Sequence, residues 1–156
     1  MKNQDIVGNI LMEVGKEITK ILPSYKVVFQ DPVSNYNDKQ VSVFLYDIER
    51  IVTLDYSLYH SGNRKIPLDS IPVDIKFLLT VFGNDHSQSS KSLIHLYSRL
   101  HKTYFFKYKH KKFGPPKIIL ESKGPEIWSK LFPQTNYMPS VPIIVSGVIL
   151  SIDDST

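Results

Sequence analysis

The stretch Ile71–Gly83, IPVDIKFLLTVFG, constrains the fold of this chain more than any other. Its odd positions, Val73, Ile75, Phe77, Leu79 and Val81, are apolar without a break. Its even positions pass from Asp74 and Lys76 to Leu78, Thr80 and Phe82. Alternation of period two in a run rich in β-branched and aromatic residues marks a strand. One side is apolar throughout and the other turns apolar towards Phe82, so the strand is expected inside a sheet. Pro72 stands at its entrance, where a missing N–H does least harm. Gly83 and Asn84 end it in a turn.

The rest of the chain supplies partners for this strand. Ile6, Val7, Ile10, Leu11, Val14, Ile18, Ile21 and Leu22 share one helical face, which predicts a helix over Asn3–Leu22. Asn3 or Asp5 can cap it, and Pro23 stops it. Gly8 and Gly15 each cost such a helix about 1 kcal/mol against alanine, which suggests close packing there. Tyr25–Gln30 reads as a short strand and Asp31–Lys39 as a turn-rich loop. Val41–Ile48 is a second strong strand, with Val41, Val43 and Leu45 facing one way and Phe44 and Tyr46 the other. Glu49–Lys65 reads as a long connection, with a further strand at Ile51–Tyr59 left open. A connection of that length is expected to be mobile alone and ordered against a neighbour.

Leu93, Leu96, Tyr97, Leu100 and Tyr104 predict a second helix over Ser90–Tyr104, after the serine-rich DHSQSS. Lys117–Glu121 is a brief strand. Gly124-Pro125-Glu126 opens a short helix whose apolar face is Ile127, Trp128 and Leu131, and Pro133 closes it. Val141–Ile152 is a long apolar strand, with Pro142 at an edge or entrance and Gly147 at a bulge position. This order predicts an α+β fold: a mixed sheet of about four to six strands, with the N-terminal helix and the second long helix packed on it. One domain over 1–156 is expected, with 1–2 and 153–156 disordered. Leu45, Tyr46, Phe77, Leu79 and Trp128 are the expected core, with Leu45, Phe77, Leu79 and Trp128 together beneath the first two helices.

Composition narrows the chemistry. Hydrophobic residues make up 42% of the 156 and charged residues 22%, an ordinary globular balance. No apolar run approaches the ~18 residues of a membrane helix. The opening MKNQDIVGNILMEVGKEITK has acids and no solid apolar block, unlike a signal peptide. With no cysteine, disulfides and thiol catalysis are excluded. The expected location is cytoplasmic. The formal charge of +4 and pI of about 9.1 suit an anionic partner without identifying one.

Catalytic motifs are absent from the sequence. No glycine-rich phosphate loop occurs. His60, His86, His95, His101 and His110 are scattered, and His95 and His101, six apart, fall on different faces of one helix. Asp47 and Glu49 project to one side of a strand end beside Arg50, an arrangement acid/base chemistry can use and a solvated, ion-paired strand end produces more often. The serines of DHSQSS have no nucleophile context. The expectation is no catalytic residue, no cofactor and no metal.

The conspicuous patch is HKTYFFKYKHKKFGPPK, His101–Lys117, in which lysines alternate with aromatics. Lys102, Lys107, Lys109, Lys111 and Lys112, with Arg50 and Arg64 elsewhere, are the candidate interface residues. Three readings stay open: contact with an acidic protein surface, a solvated two-faced hairpin, and single-stranded nucleic acid bound by phosphate attraction and stacking.

Five segments occur in a telling order: VSVFLYDIER (Val41–Arg50), IPVDIKFLLTVFG, SLIHLYSRLH (Ser92–His101), PEIWSKLF (Pro125–Phe132) and YMPSVPIIVSGVIL (Tyr137–Leu150). The set resembles the N-terminal domain of the cap, or tail-terminator, protein of contractile injection systems. Leu45-Tyr46 matches the family's strand ending in Leu-Tyr. Pro72, Asp74, Leu79 and Thr80 match its proline-led strand, Trp128 and Ser129 its short helix, and Pro139, Ser140 and Val141 the approach to its last strand. The resemblance implies a phage tail-terminator fold and a ring, with six copies expected. Such a ring closes the tail, ends tube and sheath growth and holds the sheath. It implies partners in further copies of the chain and in sheath and tube proteins, with no membrane and no catalysis. Nucleic acid is the less favoured partner. The chain departs from the family in its long basic segment Lys102–Lys117 and in the aliphatic Ile143 and Ile144, near which the family often has tyrosine.

Overall fold

The computed structural model describes residues 2–34, 38–51, 70–100 and 116–151. Among these residues, three helices and five strands follow in the order α1 (Asn3–Ile21), β1 (Lys26–Val28), β2 (Gln40–Arg50), β3 (Ser70–Phe82), α2 (His86–Leu100), β4 (Lys117–Leu120), α3 (Gly124–Leu131) and β5 (Ser140–Ser151). The strands form one mixed sheet in the order β1-β2-β3-β5-β4. β1 runs parallel to β2, and every other pairing is antiparallel. The fold is therefore α+β, as the sequence predicts, with β3 at the centre of five strands.

Alternation along β3 builds the core. Val73, Ile75, Phe77, Leu79 and Val81 point to one face and join Val41, Val43, Val141, Ile143 and Val145 from the flanking strands. α1 covers this face with Ile6, Ile10, Val14 and Ile18, one side chain per turn, and α2 adds Leu96 and Leu100. Leu45 is partly buried against the same cluster. On the opposite face lie Leu78 and Phe82, and Phe44 sits across from Leu78. α3 covers that side. Trp128 is 1% exposed, its ring 4.8 Å from Phe132 and 5.9 Å from Tyr137, while Phe132 lies 6.0 Å from Phe44. Trp128 is thus buried, but across the sheet from Phe77 and Leu79. The sequence predicts it beneath the first two helices; its own helix carries it to the other face.

Tyr46 also departs from that reading. β2 bulges between Leu45 and Asp47, so Tyr46 has no partner in the β3 register and stands half-buried near Glu121 and Lys76. A bulge shifts all later side chains by one position, which leaves Asp47 and Glu49 opposite Lys76 and Asp74. A second irregularity falls between Val73 and Asp74, where β5 places Gly147 with φ of 85°. That backbone conformation is open to glycine at little cost.

The prolines sit where ladders run out. The Pro72 carbonyl accepts a hydrogen bond from the Ile51 N–H, just past the last β2–β3 pair at Arg50. N–H and C=O of one strand residue point the same way, so the missing donor falls where no ladder remains to use it. Pro142 repeats the device, its carbonyl taking the Glu121 N–H just beyond β4.

Helix ends are fixed by side chains. Asn3 does not cap α1: its amide donates to the Ser151 carbonyl at 2.7 Å, and its oxygen accepts the Ser151 N–H at 2.8 Å. This ties the start of α1 to the end of β5. α2 begins four residues earlier than its apolar spacing suggests. Asp85 accepts the Gln88 N–H at 2.8 Å, and Ser89 accepts the Gly83 N–H at 2.7 Å, so the serine-rich stretch works as a helix start.

Candidate functional site

Among the described residues, no three of His, Cys, Asp and Glu gather as metal ligands would. Asp47 and Glu49 share one face of β2, as the alternation predicts. Glu49 is held by Lys76, whose ammonium nitrogen lies 2.7 Å from its carboxylate. That contact lowers the Glu49 pKa and raises that of Lys76, so both groups keep their charges more firmly. A general acid needs the opposite shift, towards neutrality near working pH. Tyr46, beside them, has its phenol pushed up by burial and then by the Glu121 carboxylate. The cluster is a charged strand end in which Glu49 and Lys76 are paired.

The hydroxyls near α3 are structural too. Ser140 donates to the Met138 carbonyl at 2.9 Å and lies 2.8 Å from the Thr80 hydroxyl. A hydroxyl has one proton, so Thr80 is the donor between them. Both residues are buried, Thr80 at 0% and Ser140 at 6% exposure, and this bond pins the start of β5 to β3. Trp128 Nε1 donates to the Thr135 carbonyl at 3.2 Å, and the Tyr137 hydroxyl donates to the Ser140 carbonyl at 3.3 Å. Four residues singled out by the resemblance, Thr80, Trp128, Pro139 and Ser140, therefore meet at one corner of the sheet, where the Pro139 carbonyl accepts the Val81 N–H.

Arg50 is exposed at the end of β2, opposite Val73. Arg64 and Lys102, Lys107, Lys109, Lys111 and Lys112 lie outside the described residues, as do the tail 153–156 and all of the expected Glu49–Lys65 connection beyond Ile51; the first two residues of that connection belong to β2. Among the described residues, exposed large apolar side chains include Val33, Ile48 and Tyr137, and others stand in three further places on the helices and outer strands. Ile94 and Tyr97 stand on the outer face of α2, at 69% and 41% exposure. Ile119 projects from β4, one outer strand of the sheet. Met12 of α1 and Phe29 beyond β1 flank an apolar groove at the opposite edge. The sequence reading missed this groove, although Gly8, Leu11, Met12, Gly15 and Thr19 recur at helical spacing on α1 and signal an outward stripe.

No family model and no curated protein matches the chain. A solved structure does: the sheath/tube terminator of PVC, an extracellular contractile injection system, seen in its extended state by cryo-electron microscopy. The two superpose with a TM-score of 0.55 at 17% identity, over 92% of this chain and 57% of the other. The chain spans a little over half the terminator's length and shares its fold.

Proposed function

We propose that the chain is a structural cap of a contractile, phage-tail-like injection system. The observation that carries this is a fold shared with a sheath/tube terminator across 92% of the chain. The order of segments from Val41 to Leu150, read from sequence alone, supports the same assignment. In this role the chain acts as one domain over 1–156. Copies close into a ring, with six expected, that ends tube and sheath polymerisation and anchors the sheath. Its partners are its own copies and the sheath and tube proteins, met in the cytoplasm as the particle assembles. The work is assembly and asks no catalysis of the chain.

Lys102, Lys107, Lys109, Lys111 and Lys112, with Arg50 and Arg64, are the proposed contact residues towards acidic protein surfaces. Solvated charges contribute little to folding, whereas like charges across a contact are strongly unfavourable. Changing Lys107, Lys109, Lys111 and Lys112 together to glutamate is therefore expected to keep the fold and to stop capping. The experiment combines light scattering on the purified chain with electron microscopy of particles made with the wild type, with the variant and without the gene. A closed ring, and tails of unregulated length when the chain is missing, are expected. Normal tails without it, and a monomer at every concentration, would overturn the assignment.

A further inference from the structure

The groove between α1 and β1 carries an inference that does not depend on the cap assignment. It is an open groove of roughly 560 Å³, walled by Leu11 and Met12 from α1 and by Val27 and Phe29 from the edge of the sheet. Met12 is 49% exposed and Phe29 51%, so large apolar side chains face water here. Gly8 widens the helix wall, since a Cβ there would meet nothing within 4 Å. Gly15 differs: its Cβ would stand 2.9 Å from the Phe29 ring, so the ring rests on bare helix backbone.

Two features define what fits. First, β1 is the outermost strand, and Lys26 uses its N–H on the Lys39 carbonyl next to β2. Strand groups alternate in direction, so the N–H and C=O of Val27 point to the outer edge, where no strand pairs among the described residues. Main-chain groups at a sheet edge are met by another extended chain, and a helix cannot meet them. Second, the only charged side chains lining the groove among the described residues are Lys16 and Lys20. Lys20 reaches Glu17 at 3.7 Å, one turn away, but is itself 75% exposed. An exposed pair of this kind is worth little and yields readily to a better-placed acid.

We infer that this groove binds an extended segment of another polypeptide, laid beside β1 as a short added strand. Its apolar side chains fill the groove, and its carboxylates meet Lys16 and Lys20. β1 has three residues, so the added strand is brief and its register is set by the side chains in the groove as much as by the backbone.

The probe is a yeast-displayed library of random decapeptides, sorted against the full chain. Enriched peptides are expected to alternate apolar and acidic residues, and their binding to shift the amide resonances of Val27 and Phe29. The variant K16E/K20E, altered only at exposed positions, should bind them about tenfold less or worse. Phe29→Ala, at a half-exposed side chain, is the second variant and should weaken them with the lysines intact. No enrichment, enriched peptides without acids, or unchanged binding by both variants would overturn the inference. So would self-association of the chain through this face that K16E/K20E abolishes, which would make a second copy the occupant.

Discussion

Replacing Phe77 with alanine tests the architecture at its centre. The ring is 0% exposed, lies in the middle of β3 and pairs with Leu45 on one side and Ile143 on the other. The side chains around it on that face of the sheet are apolar, with α1 and α2 above. Full burial of a phenylalanine is worth about 1.5–3 kcal/mol in transfer alone. A sheet hydrogen-bonded on both sides cannot close over the vacancy, so a cavity cost adds to it. Loss of a buried phenylalanine in such places costs about 3–5 kcal/mol in all. For a domain of this size that lowers the melting temperature by roughly 6–20 °C.

Urea denaturation followed by far-ultraviolet circular dichroism measures the loss. Trp128, the single tryptophan, gives a second and independent signal, because it is buried on the opposite face of the sheet. Both probes should report the same lowered midpoint if the two faces unfold together. A control at Ile119, 47% exposed on an outer strand, should cost well under half as much when cut to alanine. A Phe77→Ala protein within about 1 kcal/mol of the wild type would refute the placement of β3 at the core.

Three further outcomes follow from single contacts. Gly147→Ala should destabilise by about 1–2 kcal/mol through backbone strain, since φ is 85° there and a Cβ meets nothing within 4 Å; D-alanine at the same position, introduced by semisynthesis, should cost almost nothing. Ser140→Ala leaves the buried Thr80 hydroxyl without its acceptor and should cost about 1–3 kcal/mol, and adding Thr80→Val should recover part of that loss in a double-mutant cycle. The Glu49 carboxyl, held down by Lys76, should titrate by carbon-detected NMR below the usual carboxylate range and return to it in Lys76→Met. A depressed carboxylate stabilises above its unfolded pKa and a raised lysine below its own. The ion pair therefore adds stability at neutral pH, loses it as acid passes the folded Glu49 pKa, and loses it again as base passes that of Lys76.

The elements legible in the sequence are those whose cause is local. Alternation fixed the strand of Val73 to Val81, Pro72 and Pro142 marked where ladders stop, and Gly147 marked a bulge. Four things escaped because their causes lie far along the chain or between elements. An apolar stripe on α3 says that the helix packs, but the side of the sheet it takes depends on β5, which follows it. Asn3 has the chemistry of a cap, and it is instead spent on Ser151, 148 residues away. The bulge at Tyr46 is set by pairing with β3 rather than by any glycine in β2. The groove needs both α1 and β1, so Met12 and Phe29 each read alone as unremarkable. The start of α2 belongs to a different class: Asp85 and Gln88 have the spacing of a helix start, and the apolar count overrode that signal.

In the proposed cap role, the sheet suggests how a subunit would meet neighbours without joining them indiscriminately. Its three inner strands have 11, 13 and 12 residues, and its two outer strands only 3 and 4. Long strands inside carry the core, where alternation is obligatory and therefore readable. Short strands outside offer few main-chain groups, which limits pairing by backbone alone. Specificity then falls to side chains around those edges and on the outer helix faces: Met12, Phe29 and two lysines at one edge, Ile119 at the other, Ile94 and Tyr97 on α2. Complementarity at such surfaces can be met by many residue pairs, provided each change on one partner is matched on the other. The proposed assembly role asks for no fixed motif, and on that reading the fold of this chain is legible from alternation while its contacts have to be read from the surface.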